Sequence, residues 1–128
     1  MRTGTLLAVD TAFEGATGLL LVGAPGILSR LLFAAGLDGP GTIMGRLAGI
    51  ALFALALACR IARTGPGVRA SLAGMLAFNV LAAGYLAVLG FGGQAGVLLW
   101  PMVALHAAMT ALLARAWASD RVSTEPAR

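Results

Sequence analysis

The sequence predicts an all-α integral membrane fold: an antiparallel four-helix bundle with a short interfacial helix between the first and second spans. Three observations predict it. The chain is 59% hydrophobic and only 11% charged, whereas soluble domains carry about a quarter charged residues. Four apolar stretches, 5–23, 43–59, 70–90 and 97–117, each approach the roughly 20 residues needed to cross the hydrocarbon core. Apolar residues occupy nearly every side of each stretch, which suits a helix in lipid better than one on a soluble surface. Lipid offers backbone groups no water, so each stretch pairs its own N–H and C=O groups as an α-helix. At 128 residues the chain reads as a single transmembrane domain, 1–128.

The first span, TLLAVDTAFEGATGLLLVG, is apolar yet carries Asp10 and Glu14. Four residues apart, the two acids share one helix face, which Thr17 and Gly18 extend. A carboxyl group at the bilayer centre costs roughly 2.5–3.5 kcal/mol on insertion scales, so it persists only with partners or water. The same acids interrupt the apolar core that a cleavable signal peptide needs, so none is expected here.

Residues 24–42, APGILSRLLFAAGLDGPGT, connect the first two spans. Pro25-Gly26 opens a new turn, and Ile27, Leu28, Leu31 and Leu32 recur at helical spacing. A short interfacial helix over 26–35 follows, ended by the breaker run Gly36–Gly41. Residues 60–69, RIARTGPGVR, read as a tight basic loop, 90–96, GFGGQAG, as an uncharged turn, and 118–128 as a polar, fraying tail. Trp100-Pro101 predicts a kink in the outer half of the fourth span, because proline removes a backbone donor.

Arginine placement sets the expected orientation. Four spans put both ends of the chain and the 60–69 loop on one side, together with Arg2, Arg60, Arg63, Arg69, Arg115, Arg121 and Arg128; only Arg30 and Arg46 belong to the other side. The positive-inside rule then predicts a multi-pass protein of the bacterial inner (plasma) membrane with both termini cytoplasmic. All nine basic residues are Arg, and none of them forms a stripe or motif for nucleic acid, which is excluded as a partner. The one cysteine, Cys59, allows no intrachain disulfide and reads as buried filler.

The sharpest signal is a coincidence of depth. Glu14 is the centre of the first span, Asn79 is beside the centre of the third and His106 beside the centre of the fourth. Arg46 lies about 7 Å outward of the centre of the second by helix rise, and Asp10 about 6 Å to the cytoplasmic side of Glu14. Polar groups in lipid must satisfy one another. The expectation is therefore that Glu14 pairs with Arg46, that Asn79 and His106 complete the hydrogen bonds, and that Asp10 stands at a cytoplasmic mouth. The plainer reading is that these residues only glue helices together, as Asn and His do for about 0.6 kcal/mol on average. Gly45 and Gly49 give a GxxxG spacing, read first as close packing within the chain. Met102, His106 and Met109 share a side of the fourth span, but one histidine among methionines reads as core rather than a metal or haem site. No phosphate loop, Ser–His–Asp order or paired-cysteine motif supports soluble catalysis.

The stretches FEGATGLLLVGAPGILSRLLF and GRLAGIALFALALACRIAR resemble small bacterial four-helix membrane proteins of unknown function. They share an acid in the first helix, an apolar linker after a proline and an Arg-led second helix. More distantly the chain is similar to the DoxX-like group, some of whose members are implicated in quinone-linked sulfur oxidation or redox-stress complexes. The resemblance covers roughly residues 10–63 and implies Glu14 and Arg46 as a polar pair and a quinone as candidate cofactor; it implies no catalytic role. The leading functional expectation is a non-enzymatic membrane protein that binds a small amphipathic ligand or a partner subunit at Glu14, Arg46, Asn79, His106 and Asp10. A quinone-linked redox accessory subunit, a minimal transporter or proton-conducting subunit, and a structural subunit of a membrane complex are the alternatives. The lipid bilayer is the expected partner; a homo-oligomer or a membrane-complex partner stays open.

Overall fold

The computed structural model describes residues 2–122. Among them it has five α-helices and no strand: α1 (Thr3–Gly23), α2 (Pro25–Phe33), α3 (Gly39–Ile61), α4 (Val68–Phe91) and α5 (Leu99–Val122), with a 3-10 turn at Gly65–Gly67 leading into α4. By length and composition α1, α3, α4 and α5 can each cross a membrane, with mean hydropathies between 1.3 and 2.0. Large apolar side chains such as Leu81, Val88, Phe91 and Val97 stand exposed around the outside. That is the surface of a multi-pass membrane protein, since lipid tails rather than water cover it.

α1 is the organising element. A third of its span is buried, about twice the share of the other three. It runs along α3 and also touches α2, α4 and α5, while α4 pairs with α5. The α1–α3 contact is close because Gly18 meets Gly49. A Cβ added to Gly18 would lie 2.9 Å from the Gly49 carbonyl oxygen, and one added to Gly49 would lie 2.6 Å from that of Gly18. The GxxxG spacing thus serves packing within the chain, as small residues let membrane helices approach.

The two ends of the bundle differ. At the end holding the start of α1 and the end of α5, the buried residues Leu6, Leu7, Cys59, Leu72, Met75 and Leu113 form an apolar core. Arg60 ties α3 to α1 there, its Nη1 donating to the Ala8 carbonyl at 3.1 Å. At the other end lies α2. The chain leaves α1 at Ala24 (φ −144°, ψ 59°) and restarts at Pro25, which needs no N–H in the first turn. α2 ends at Ala34 in the left-handed region (φ 54°). The turn between α4 and α5 then caps it: Leu98 N–H donates to the Leu31 carbonyl at 2.9 Å and Gly96 N–H to that of Leu32 at 2.7 Å. The interhelical segment is a helix, as its apolar spacing predicts, and not a kinked continuation of α1.

Two expectations at helix starts are corrected. α3 begins at Gly39, inside the stretch read as a breaker run. Asp38 is its N-cap, accepting from Gly41 N–H at 2.6 Å, and Pro40 sits in the first turn, where a missing donor breaks no helical bond. The kink expected in the outer half of the fourth span has no helix to bend there: α5 starts at Leu99, so Pro101 belongs to its first turn. The first intrahelical bond, Met102 N–H to the Leu98 carbonyl at 3.0 Å, follows immediately.

Candidate functional site

Four of the five polar residues singled out by depth come together inside the bundle. Asp10 and Glu14 reach in from α1, Asn79 from α4 and His106 from α5; their exposures are 2%, 1%, 0% and 6%. Each lies on the buried stripe of its helix. On α4 the stripe runs Leu72, Met75, Asn79, and on α5 Leu99, His106 and Leu113 follow at seven-residue steps.

Asn79 is the hub. Its Nδ2 donates to the carbonyl of Met75 at 2.9 Å and to the Asp10 carboxyl oxygens at 3.1 and 3.3 Å. With both amide hydrogens committed, Oδ1 faces His106 Nδ1 at 2.9 Å. An amide oxygen only accepts, so Nδ1 carries the proton of that bond. The imidazole is also held by Phe78, whose ring meets it edge-on with centroids 5.8 Å apart.

Glu14 is left over. Its Oε1 lies 3.7 Å from His106 Nδ1, beyond hydrogen-bond range, and has no hydrogen-bond partner although it is fully buried. Arg46 does not supply one. It stands exposed on α3 and makes no ion pair with Glu14. The inward stripe of α3 is Gly49, Ala56 and Cys59, and Arg46 falls about 60° to the side of Gly49 at 100° per residue. The expected Glu14–Arg46 pair is therefore corrected: depth matches, direction does not.

Asp10 is corrected as well. It is buried against Asn79 and lines only a separate small cavity of about 80 Å³ with Phe13, Glu14, Asn79 and Leu105, not the mouth of the larger one. The opening lies on the other side of Glu14. A cavity of about 550 Å³ runs from Glu14 and His106 toward α2, walled by residues of all five helices. Leu21, Leu28, Leu52 and Leu86 make its sides apolar, and Thr17, Ser29 and Tyr85 add hydroxyl groups. Its rim includes Met44 on α3 and Tyr85 on α4, exposed by 64% and 66%, so it opens sideways between α3 and α4. Depth reasoning found the base of this cavity but not the cavity itself. Thr17, one turn beyond Glu14 on the same face, was the available clue. Among the described residues no three His, Cys, Asp or Glu side chains group to hold a metal.

Comparison with family models, curated proteins and solved structures finds no match to this chain. The site's meaning therefore rests on its geometry and chemistry.

Proposed function

We propose that this protein is a non-enzymatic small-molecule-binding protein of the bacterial inner membrane. It takes an amphipathic ligand sideways from the bilayer and holds its polar group against Glu14 and His106. One observation carries the reading: Glu14, whose Oε1 is buried without a hydrogen-bond partner among the described residues, lines the base of a largely apolar cavity. The volume, about 550 Å³, falls in the range of roughly 300–1,000 Å³ usual for small-molecule pockets, which are mostly apolar with a few placed polar groups. Ionisable residues inside a membrane mark function by default.

The test is direct. The protein is purified in a mild detergent, extracted with organic solvent, and the co-purifying small molecules are identified by mass spectrometry. A species retained by the native chain and lost from Ala82→Phe, which fills the cavity wall, is the expected result. Identical extracts from both proteins would reject the reading.

One observation favours a second reading. His106, Asn79 and Asp10 form a hydrogen-bonded file leading away from the cavity, with Glu14 Oε1 3.7 Å from its His106 end. A quinone-linked accessory subunit or a proton-conducting subunit needs such a file beside an apolar site. Proton flux in liposomes that His106→Phe abolishes would favour it.

A further inference from the structure

We infer that the cavity selects a single-chain amphiphile with a protonated amine head, the ammonium seated on Glu14 and the chain lying toward α2. This rests on the binding reading above and names its ligand class. Three observations lead to it.

The first is the vacancy in hydrogen bonding at Glu14. Its Oε1 has no hydrogen-bond partner among the described residues, and His106 Nδ1, 3.7 Å away, is committed to Asn79 Oδ1. A buried polar atom in an apolar setting requires a donor, and the cavity is where a donor can come from. An alkylammonium brings up to three N–H groups.

The second is charge. The cavity ends on Glu14, with Asp10 one turn behind it, and no arginine lines it; the chain has no lysine at all. Arg46, which depth alone would have made the counter-charge, points away. Among the described residues no arginine pairs with Glu14, and His106, 3.7 Å away, is committed to Asn79, so the ligand supplies the positive partner. A carboxylate or phosphate head would instead face the Glu14 carboxyl with no arginine in the lining to offset it.

The third is shape. The ionisable groups, Glu14 and His106, lie at the closed end, and the walls toward α2 and the mouth are mainly apolar, with the Ser29 and Tyr85 hydroxyls among them. A head-first ligand of one chain fits that order. A two-chain phospholipid is larger than the drug-sized ligands such a volume accommodates.

The experiment places the full chain in phosphatidylcholine nanodiscs and measures equilibrium binding of radiolabelled dodecylamine, dodecanol and dodecanoate, with partitioning into empty discs subtracted. The expected result is saturable dodecylamine binding at one per chain, with dodecanoate weaker by at least about tenfold, the equivalent of 1.4 kcal/mol. Glu14→Gln, close to isosteric, is expected to weaken dodecylamine by a similar factor without weakening dodecanol. Dodecanoate binding as tightly as dodecylamine, or dodecylamine binding untouched by Glu14→Gln, would overturn the amine assignment while leaving a ligand cavity in place. Loss of dodecylamine when phosphatidylethanolamine is added to the discs would overturn the single-chain assignment. No saturable binding of any of the three probes would overturn the cavity reading itself.

Discussion

Asn79 Oδ1 lies 2.9 Å from His106 Nδ1, and the same side chain's Nδ2 holds Asp10 at 3.1 Å. One amide therefore joins α1, α4 and α5, the contact through which the α1–α3 and α4–α5 pairs are held together in polar terms. The bond directions are coupled. Asp10 and the Met75 carbonyl fix the amide's orientation, and the orientation fixes which ring nitrogen of His106 donates.

Asn79→Leu is expected to cost more than an average interhelical hydrogen bond. It leaves the Asp10 carboxyl and His106 Nδ1 unsatisfied at once, and each stranded buried group costs about 1–3 kcal/mol. A loss of about 2–6 kcal/mol is expected in reversible unfolding in mixed micelles, against about 0.6 kcal/mol for a typical pair in a membrane. A loss at the smaller value would mean that water satisfies the network in its place.

Arg46→Gln is expected to change stability by less than about 0.5 kcal/mol, as surface substitutions do. A double-mutant cycle with Glu14→Gln should give a coupling energy near zero. Coupling of about 3 kcal/mol or more, the cost of breaking a buried ion pair, would show that Arg46 turns inward to Glu14 after all.

Arg46 also shows where sequence reasoning stops. Depth in a membrane span can be read by counting residues, and it correctly set Glu14, Asn79 and His106 at one level. Direction around the helix is normally read from hydrophobic periodicity, and here that signal is missing. Lipid-facing leucines such as Leu81 and core leucines such as Leu72 are chemically the same. Polar residues had to serve as the compass, and they succeeded on α1, α4 and α5. Within the predicted second span, 43–59, the only charged residue was Arg46, whose long chain is able to reach the interface from the lipid side. The inward stripe there is marked instead by glycine, alanine and cysteine. The interhelical helix was legible because Pro25 and its leucine spacing are local signals. The cavity was not, because an unfilled volume has no residue of its own.

Close packing of α1 on α3 gives a prediction with a built-in control. Gly49→Ala places a Cβ 2.6 Å from the Gly18 carbonyl oxygen and 2.8 Å from the Val22 nitrogen. Both are backbone atoms and cannot swing aside, so the helices must part, at about 1–3 kcal/mol for overpacking. Gly84 on α4 has nothing within 4 Å of an added Cβ, and Gly84→Ala should be neutral or stabilise by up to about 1 kcal/mol through helix propensity. Equal effects of the two substitutions in the same unfolding assay would rule out steric contact as the reason for Gly49.

Orientation is the last expectation, and it follows from charge. Arg60, Arg63 and Arg69 flank the turn between α3 and α4, at the same end of the bundle as the start of α1. The turn between α4 and α5 carries no charge and instead caps α2 through Gly96 and Leu98. Translocating the arginine-rich turn would carry three guanidinium groups across hydrocarbon, each at roughly 2.5–3.5 kcal/mol, whereas the turn containing Gly93 crosses without that cost. A reporter active only in the cytoplasm, fused at Gly65, is expected to be active, and the same reporter at Gly93 silent. A reporter active only outside should give the reverse pattern. The cavity mouth, near the α2 end between Met44 and Tyr85, would then face the outer leaflet. Cysteine introduced at Met44 should accordingly be labelled by a membrane-impermeant thiol reagent from outside intact cells, and labelling only after lysis would reverse the assignment.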